Sequence, residues 1–320
     1  MSSRDSGQSW TAPRVLIDSA TDDRDAGILE TSRGTLLVTF FTSINYLQRM
    51  QDVGFLKKAG LTPGPDGIVP SWKTADARTT EEEKQADVYH WLIRSTDGGL
   101  TWGPRQIAPC SSPHGPIALA DGRLLYVGKE LKTGQVGAWV SADDGLNWSL
   151  AGAIPAREGE KVEDYHELHA VQAADGRLIA QIRNHAGKER YLLQTESTDG
   201  GQSWTPPREI GVRGYPSHLL RLRDGTLLMS YSWRHEPYGI RARISRDNGA
   251  TWGEEQIISR DGPSWDLGYP SSVELERGEL LTVWYEVPGE GRKAVIRQAR
   301  WRLEPENESQ HPAAPAKTQP

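Results

Sequence analysis

Five copies of one eight-residue pattern, S-x-D-x-G-x-S/T/N-W, constrain this chain more than any other feature. They are SRDSGQSW (3–10), STDGGLTW (95–102), SADDGLNW (141–148), STDGGQSW (197–204) and SRDNGATW (245–252). Recurrence of this kind means one supersecondary unit repeated along the chain. Each copy reads as a tight turn. Asp accepts hydrogen bonds from the amides that follow, Gly takes a positive-φ position, and Trp fills the space beneath. Such turns are expected to serve the scaffold, because a motif present in every unit does not by itself make an asymmetric site.

A second repeat interleaves with the first. Short apolar runs break at a turn and resume, as in 26–41, 115–128, 169–183, 218–232 and 271–286, and each reads as a hairpin. A third strand then leads into the turn motif, as in VYHWLIR (88–94) and GIRARI (239–244), and a fourth follows it. Four antiparallel strands in each unit of about 50 residues predict an all-β propeller of four-stranded blades. Five repeats are countable. The turn at 3–10 and PRVLID (13–18) lack preceding strands, while KAVIRQARWRL (293–303) is a third strand without a turn motif after it. Joining them closes the last blade with the N-terminal strand, so 1–303 is expected to form a single propeller domain. Residues 43–87 break the rhythm and are expected to be an insertion with some helix or a degenerate blade. The polar, proline-rich tail 304–320 is expected to be disordered.

Composition narrows the class of partner. The 320 residues carry a net charge of -6, with no Lys/Arg block to attract nucleic acid. Cys110 is the only cysteine, so no internal disulfide forms. No apolar run approaches the roughly 18 residues of a membrane span, and MSSRDSGQSW has no apolar leader core. A soluble chain is expected, cytoplasmic or secreted with a leader removed.

The turn glycines of the hairpins (Gly34, Gly122, Gly176, Gly225, Gly278) provide an internal ruler. Nine or ten residues before each lie Arg24 and Asp25, Ser112 and Pro113 (with His114 next), His166 and Glu167, Tyr215 and Pro216, Gly268 and Tyr269. These positions begin the innermost strand of each blade and ring the central funnel. Ionisable and phenolic side chains are concentrated there, which marks a candidate site.

The turn motifs and the residues on this ruler resemble the sialidase (neuraminidase) superfamily. That family has a propeller, usually six-bladed, with structural Asp-box turns. Its first inner strand carries an arginine in F/Y-R-I-P, ten before the glycine; Arg24 has that spacing in the context DRDA. A later strand carries a glutamate nine before the glycine with an arginine closing the next strand, matched by Glu167 and Arg183. The last carries Y-S-x-L nine before its glycine, matched by Tyr269 in YPSSVELERG.

The resemblance implies an exo-α-sialidase that needs no cofactor or metal, acting on a sialoglycoconjugate or other acidic glycan with retention. A carboxylate nucleophile would be repelled by the substrate's own carboxylate, so Tyr269 would be the nucleophile and Glu167 its base. Arg24 and Arg183 would clamp the substrate carboxylate. Arg234, rather than Arg241, is expected as the third arginine. For the acid/base aspartate, Asp87 is preferred over Asp76 and Asp25 because the strand 88–94 begins directly after it. Asp25, His114, His166, Tyr215 and His218 are expected to line the substrate site.

Histidines 90, 114, 166, 169, 185 and 218 lie near strand ends, several on the funnel side. The run HELH (166–169) lacks H-E-x-x-H spacing and lies on a strand, which argues against zinc. His114 or His166 could instead serve as acid or base in a lyase that splits uronate polysaccharides. A non-catalytic carbohydrate-binding propeller is the third alternative; it has no need of a Tyr269–Glu167 pair.

Overall fold

The computed structural model describes residues 1–303 apart from 20, 59–67, 188–190 and 290–292; the expectation for the tail 304–320 lies outside the described residues. The fold is a five-bladed all-β propeller of antiparallel sheets. Blade 1 contains β1 (Asp22–Glu30), β2 (Leu36–Ser43), β3 (His90–Ser95) and β4 (Gln106–Ile107). Blade 2 contains β5 (Ile117–Ala118), β6 (Leu124–Lys129), β7 (Val136–Ser141) and β8 (Ser149–Ala153). Blade 3 follows with β9 (Tyr165–Gln172), β10 (Leu178–Asn184), β11 (Leu193–Ser197) and β12 (Arg208–Glu209). Blade 4 has β13 (Ser217–Arg221), β14 (Leu227–Trp233), β15 (Gly239–Ser245) and β16 (Gln256–Ile257). Blade 5 has three strands, β17 (Leu267–Glu274), β18 (Leu280–Glu286) and β19 (Val295–Trp301).

Two expectations are corrected. No sixth sheet is present among the described residues, and PRVLID (13–18) pairs with no strand. The N-terminal turn does meet blade 5. Gln298 on β19 accepts from Trp10 Nε1 at 2.9 Å and donates to the Gly7 carbonyl at 2.8 Å. Between β2 and β3 the chain instead forms four short helices, α1 (Tyr46–Arg49), α2 (Val53–Lys58), α3 (Ile68–Asp76) and α4 (Glu81–Asp87).

The core lies between blades rather than at one centre. Along β10, Ala180 and Ile182 pack with Leu125 and Val127 of blade 2, while Ile179 packs with Leu219 and Met229 of blade 4. A strand buried on both faces loses polar alternation, which explains apolar runs such as LIAQI. Similar clusters join blades 1 and 2 through Leu37, Leu92 and Tyr126, and blades 4 and 5 through Leu228 and Leu280.

The repeated turn is nearly identical in each copy. In the second, Asp97 accepts from the Thr101 amide at 2.9 Å and from Ser95 Oγ at 2.7 Å, while Ser95 Oγ accepts from the Gly99 amide at 2.9 Å. Two successive corner residues take positive φ in all five turns, from Ser6 and Gly7 to Asn248 and Gly249. Gly, Asn, Asp and Ser at these corners follow from that requirement.

Candidate active site

The site is built by one backbone device used in three blades. β1, β9 and β17 each carry a bulge that shifts the register against the neighbouring strand. At each bulge a non-glycine residue adopts the left-handed conformation: Asp25 (φ 52°), Glu167 (φ 46°) and Tyr269 (φ 54°). Bulges re-aim side chains, and backbone outliers of this kind concentrate at functional sites.

The three residues form one electrostatic group. Tyr269 Oη donates to Glu167 Oε1 at 2.7 Å, and Arg183 Nη1 reaches Glu167 Oε2 at 2.6 Å and Tyr269 Oη at 3.4 Å. Burial, reinforced by Glu167 and Asp25, raises the Tyr269 phenol well above its ordinary value. Burial lifts the Asp25 carboxyl to about 6, opposed by Arg24, reinforced by Glu167 and further opposed by Arg183. The site thus holds a neutral phenol hydrogen-bonded to a glutamate, with a second carboxyl raised to about 6.

The surroundings of this group are cationic and aromatic. The Arg183 guanidinium lies 4.5 Å from the Tyr215 ring centre, and Arg234 lies 5.8 Å from that of Tyr269. Arg234 Nη2 also reaches Tyr285 Oη at 3.4 Å, and Tyr285 donates to Asp266 at 2.8 Å. A cleft of about 320 Å³ is lined by Arg183, Arg213, Tyr215, Ser232, Arg234, His235 and Trp265. Arg24 lies on the blade 1 side, 3.8 Å from Asp22 and 5.7 Å from the Phe41 ring centre.

Other sequence candidates lie elsewhere. Asp87, expected as the acid/base, ends α4, ion-paired with Arg105 and accepting from Thr21 Oγ1 at 2.6 Å. Burial would raise its carboxyl, but Thr21 and Arg105 outweigh that and hold it low. Asp87 is thus held by Arg105 and Thr21, whereas Asp25 is the aspartate coupled electrostatically to Tyr269. Asp76 is ion-paired with Lys84 at 2.6 Å, and Arg241 with Glu255 at 3.3 Å.

His114 and His218, expected to line the substrate site, pack instead around His169, with ring centres 4.7–5.2 Å apart. Nδ1 of His169 accepts from the Leu219 amide at 2.9 Å, and Nδ1 of His218 from the Ser272 amide at 3.4 Å. These two histidines link the inner strands of blades 3, 4 and 5. Burial depresses all three rings, His218 to about 4. The His166 ring lies 4.4 Å from that of His185, tilted by 37°, and burial lowers His166 to about 4. Among the described residues no group of His, Cys, Asp or Glu is arranged to hold a metal ion, and no helix is long and apolar enough to cross a membrane.

Sequence reasoning missed Arg213, His235, Trp265 and Tyr285. Arg213 precedes Tyr215 by only two residues, so a wider window on the same ruler contains it.

Comparison with known proteins places this geometry in context. The chain is 23% identical over 218 residues to a sialidase of Bacteroides fragilis and 27% identical over 245 residues to one of Micromonospora viridifaciens. The matches cover 59% and 63% of this chain, but only 38% and 36% of those relatives' length. A protein of unknown function from Dyadobacter fermentans shares the fold with a TM-score of 0.69 at 23% identity, over 92% of this chain and 80% of that one. The α-L-arabinofuranosidase of Fusarium graminearum shares it at 0.55 and 17%, over 88% and 81%. The model of the BNR repeat-like domain matches residues 72–282, well over half of the chain. The chain belongs to the BNR repeat-like family of sialidase-like propellers.

Proposed function

We propose that this chain is a retaining exo-glycosidase that removes a terminal carboxylated sugar, with α-linked sialic acid as the specific substrate. One observation carries the reading: a half-buried tyrosine hydroxyl 2.7 Å from a glutamate that is itself held by an arginine. Such a pair supplies a neutral nucleophile with its own base, which suits a reacting carbon that bears a carboxylate. The two curated relatives named as sialidases support the same substrate class.

In this mechanism Glu167 takes the phenolic proton as Tyr269 Oη bonds to the anomeric carbon. The glycosidic bond breaks, and its oxygen takes a proton from Asp25, whose carboxyl is raised to about 6. A water then attacks the anomeric carbon, giving its proton to Asp25 while Glu167 returns the first proton to the tyrosine. Arg183 and Arg234 flank the phenol and hold the substrate carboxylate, with Arg24 completing the clamp from blade 1. Replacing Asp87 by Asp25 as the acid follows from proximity to the nucleophile.

A uronate lyase would use His114 or His166 as the proton acceptor. His114 packs with His169 and His218, and His166 with His185, whereas the Tyr269–Glu167 pair is assembled, so the hydrolase is preferred. The test is release of a fluorogenic leaving group from an α-sialoside. Turnover by the wild type that falls on the order of 10³-fold or more in Tyr269→Phe is expected. Inert but folded wild type, with an unsaturated product formed from a uronate polysaccharide, would replace this reading with the lyase.

A further inference from the structure

We infer that Tyr285 and Asp266 are positioning residues that together hold the Arg234 guanidinium beside Tyr269, in place to meet the substrate carboxylate. The ligand named here rests on the glycosidase reading; the contact itself does not.

The three arginines assigned to the clamp are held in different ways. Arg183 is bonded to Glu167 at 2.6 Å, and Arg24 lies 3.8 Å from Asp22. Arg234 instead meets a phenol. Its Nη2 reaches the Tyr285 hydroxyl at 3.4 Å, and that hydroxyl lies 2.8 Å from Asp266 Oδ1. The groups themselves fix the direction of both bonds. A guanidinium only donates, so Tyr285 Oη accepts from Arg234 and its own proton is left for Asp266. Burial keeps that proton on the phenol, opposed by Arg234 and reinforced by Asp266 and Asp25. A hydroxyl that donates its own proton is a better acceptor, so Asp266 strengthens the hold on Arg234 through Tyr285.

The backbone around this relay is shaped to receive the arginine. Tyr285 on β18 stands opposite Gly268 in the β17–β18 register, just before the bulge that carries Tyr269, and Asp266 directly precedes β17. A side chain at Gly268 would strike Ser232 Oγ and come within 3.2 Å of Arg234 Nη2. The φ of 146° there also favours glycine. Arg234, which directly follows β14, is thereby set against the backbone of β17, 5.8 Å from the Tyr269 ring centre. Two residues earlier, Ser232 Oγ accepts from the Tyr269 amide at 3.1 Å. One corner of blade 4 therefore fixes both the Tyr269 backbone and the arginine.

Two phenols thus stand with ring centres 5.8 Å apart, each hydrogen-bonded to an acidic side chain. Their backbones separate their roles. Tyr269 is on a bulge in the left-handed conformation, the kind of outlier found at reacting groups. Tyr285 is a regular strand residue, paired with Gly268 on one side and Ile296 on the other. It serves the reaction through Arg234.

Crystal structures and calorimetric binding of free N-acetylneuraminic acid test this together. In Tyr285→Phe the Arg234 guanidinium is expected to swing away from the Tyr269 ring. Affinity should fall about 10-fold, the scale of one hydrogen bond to a charged group. Asp266→Ala should weaken binding likewise, and Asp266→Asn, which keeps an acceptor for the phenol, should recover part of the loss. The sharpest comparison is a double-mutant cycle. Added to Arg234→Ala, Tyr285→Phe should change the affinity less than about 2-fold, because its effect passes through the arginine. On an α-sialoside the loss should fall on KM rather than kcat, since the clamp holds the carboxylate in the ground and transition states alike. Melting temperatures show which variants fold, and Asp266→Ala carries the same comparisons if Tyr285→Phe does not. Losses that add in full, an unchanged affinity, or an Arg234 that stays in place without its phenol overturn the inference. If the wild type binds no sialic acid, the functional reading falls, and the position of Arg234 in the two crystals alone decides the positioning role.

Discussion

Aspartates in two regions of this propeller meet opposite fates. In the repeated turns, Asp5, Asp97, Asp143 and Asp199 are held at about 2, chiefly by donors on the Ser, Thr or Asn four residues on, through its side chain and backbone amide. At the funnel end of β1, Asp25 is half-buried, and desolvation raises it to about 6. The turn aspartates are permanently charged and saturated with local hydrogen bonds, so they staple the chain and have no proton to offer. Asp25 lies beside Glu167 and Arg183 and titrates where an enzyme works. The five-fold repeated scaffold thus turns the same backbone to a different use where three inner strands bulge, in blades 1, 3 and 5.

Substitutions that separate the two regions sharpen this contrast. Tyr269→Phe removes one oxygen from the funnel. Turnover should fall on the order of 10³-fold or more with little change in melting temperature, read by steady-state kinetics and calorimetry side by side. Trp204→Ala does the reverse in a turn. Trp204 is buried between blades and donates to the Gly201 carbonyl at 3.0 Å. Its loss should cost about 3–5 kcal/mol in denaturant unfolding while activity per folded molecule holds. A turn variant that lost activity without losing stability would break the division.

Smaller effects test the acid and the clustered histidines. Asp25→Asn should lower kcat by about 10²-fold and abolish the decline in rate as pH rises through about 6, because the wild type needs the protonated carboxyl. A pH–rate profile that keeps this limb in the variant would assign it to another group. For His114, His169 and His218 the folded rings resist protonation, whereas the unfolded chain takes protons near 6.5. Stability should be full above about 6.5 and decline as pH falls from 6.5 towards 4, as unfolding then binds protons. Melting temperatures at pH 7 and pH 5 check this, and His169→Gln should make the difference smaller.

How much of this was legible in the sequence depended on distance along the chain. The turns close their hydrogen bonds within eight residues, so spacing alone exposes them. Arg24, Asp25, Glu167, Arg183 and Tyr269 could be aligned because each stands at a fixed offset from a hairpin glycine, and a hairpin sets register locally. Residues whose placement depends on distant partners could not be read this way. Asp87 precedes a strand, but Thr21 and Arg105 fix it, 66 residues before it in one case. Arg213 has no counterpart in the other repeats, and the packing of Gly214 on Tyr231 puts it at the cleft. PRVLID reads as a strand by composition, yet a strand needs a partner edge, and blade 5 stops at β19. His114 and His218 looked like funnel-lining groups because strand starts show which blade a residue belongs to, not which rings it packs against.

The claim that the bulged residues carry the chemistry is tested most directly by trapping the glycosyl enzyme. Incubation with a 3-fluoro-sialosyl fluoride, whose second step is slow, followed by proteolysis and mass spectrometry, should show one added fluorosialosyl group on the peptide containing Tyr269. Tyr269→Phe should show none. An adduct on Glu167, or hydrolysis of the reagent by inversion with no adduct at all, would contradict a tyrosine nucleophile.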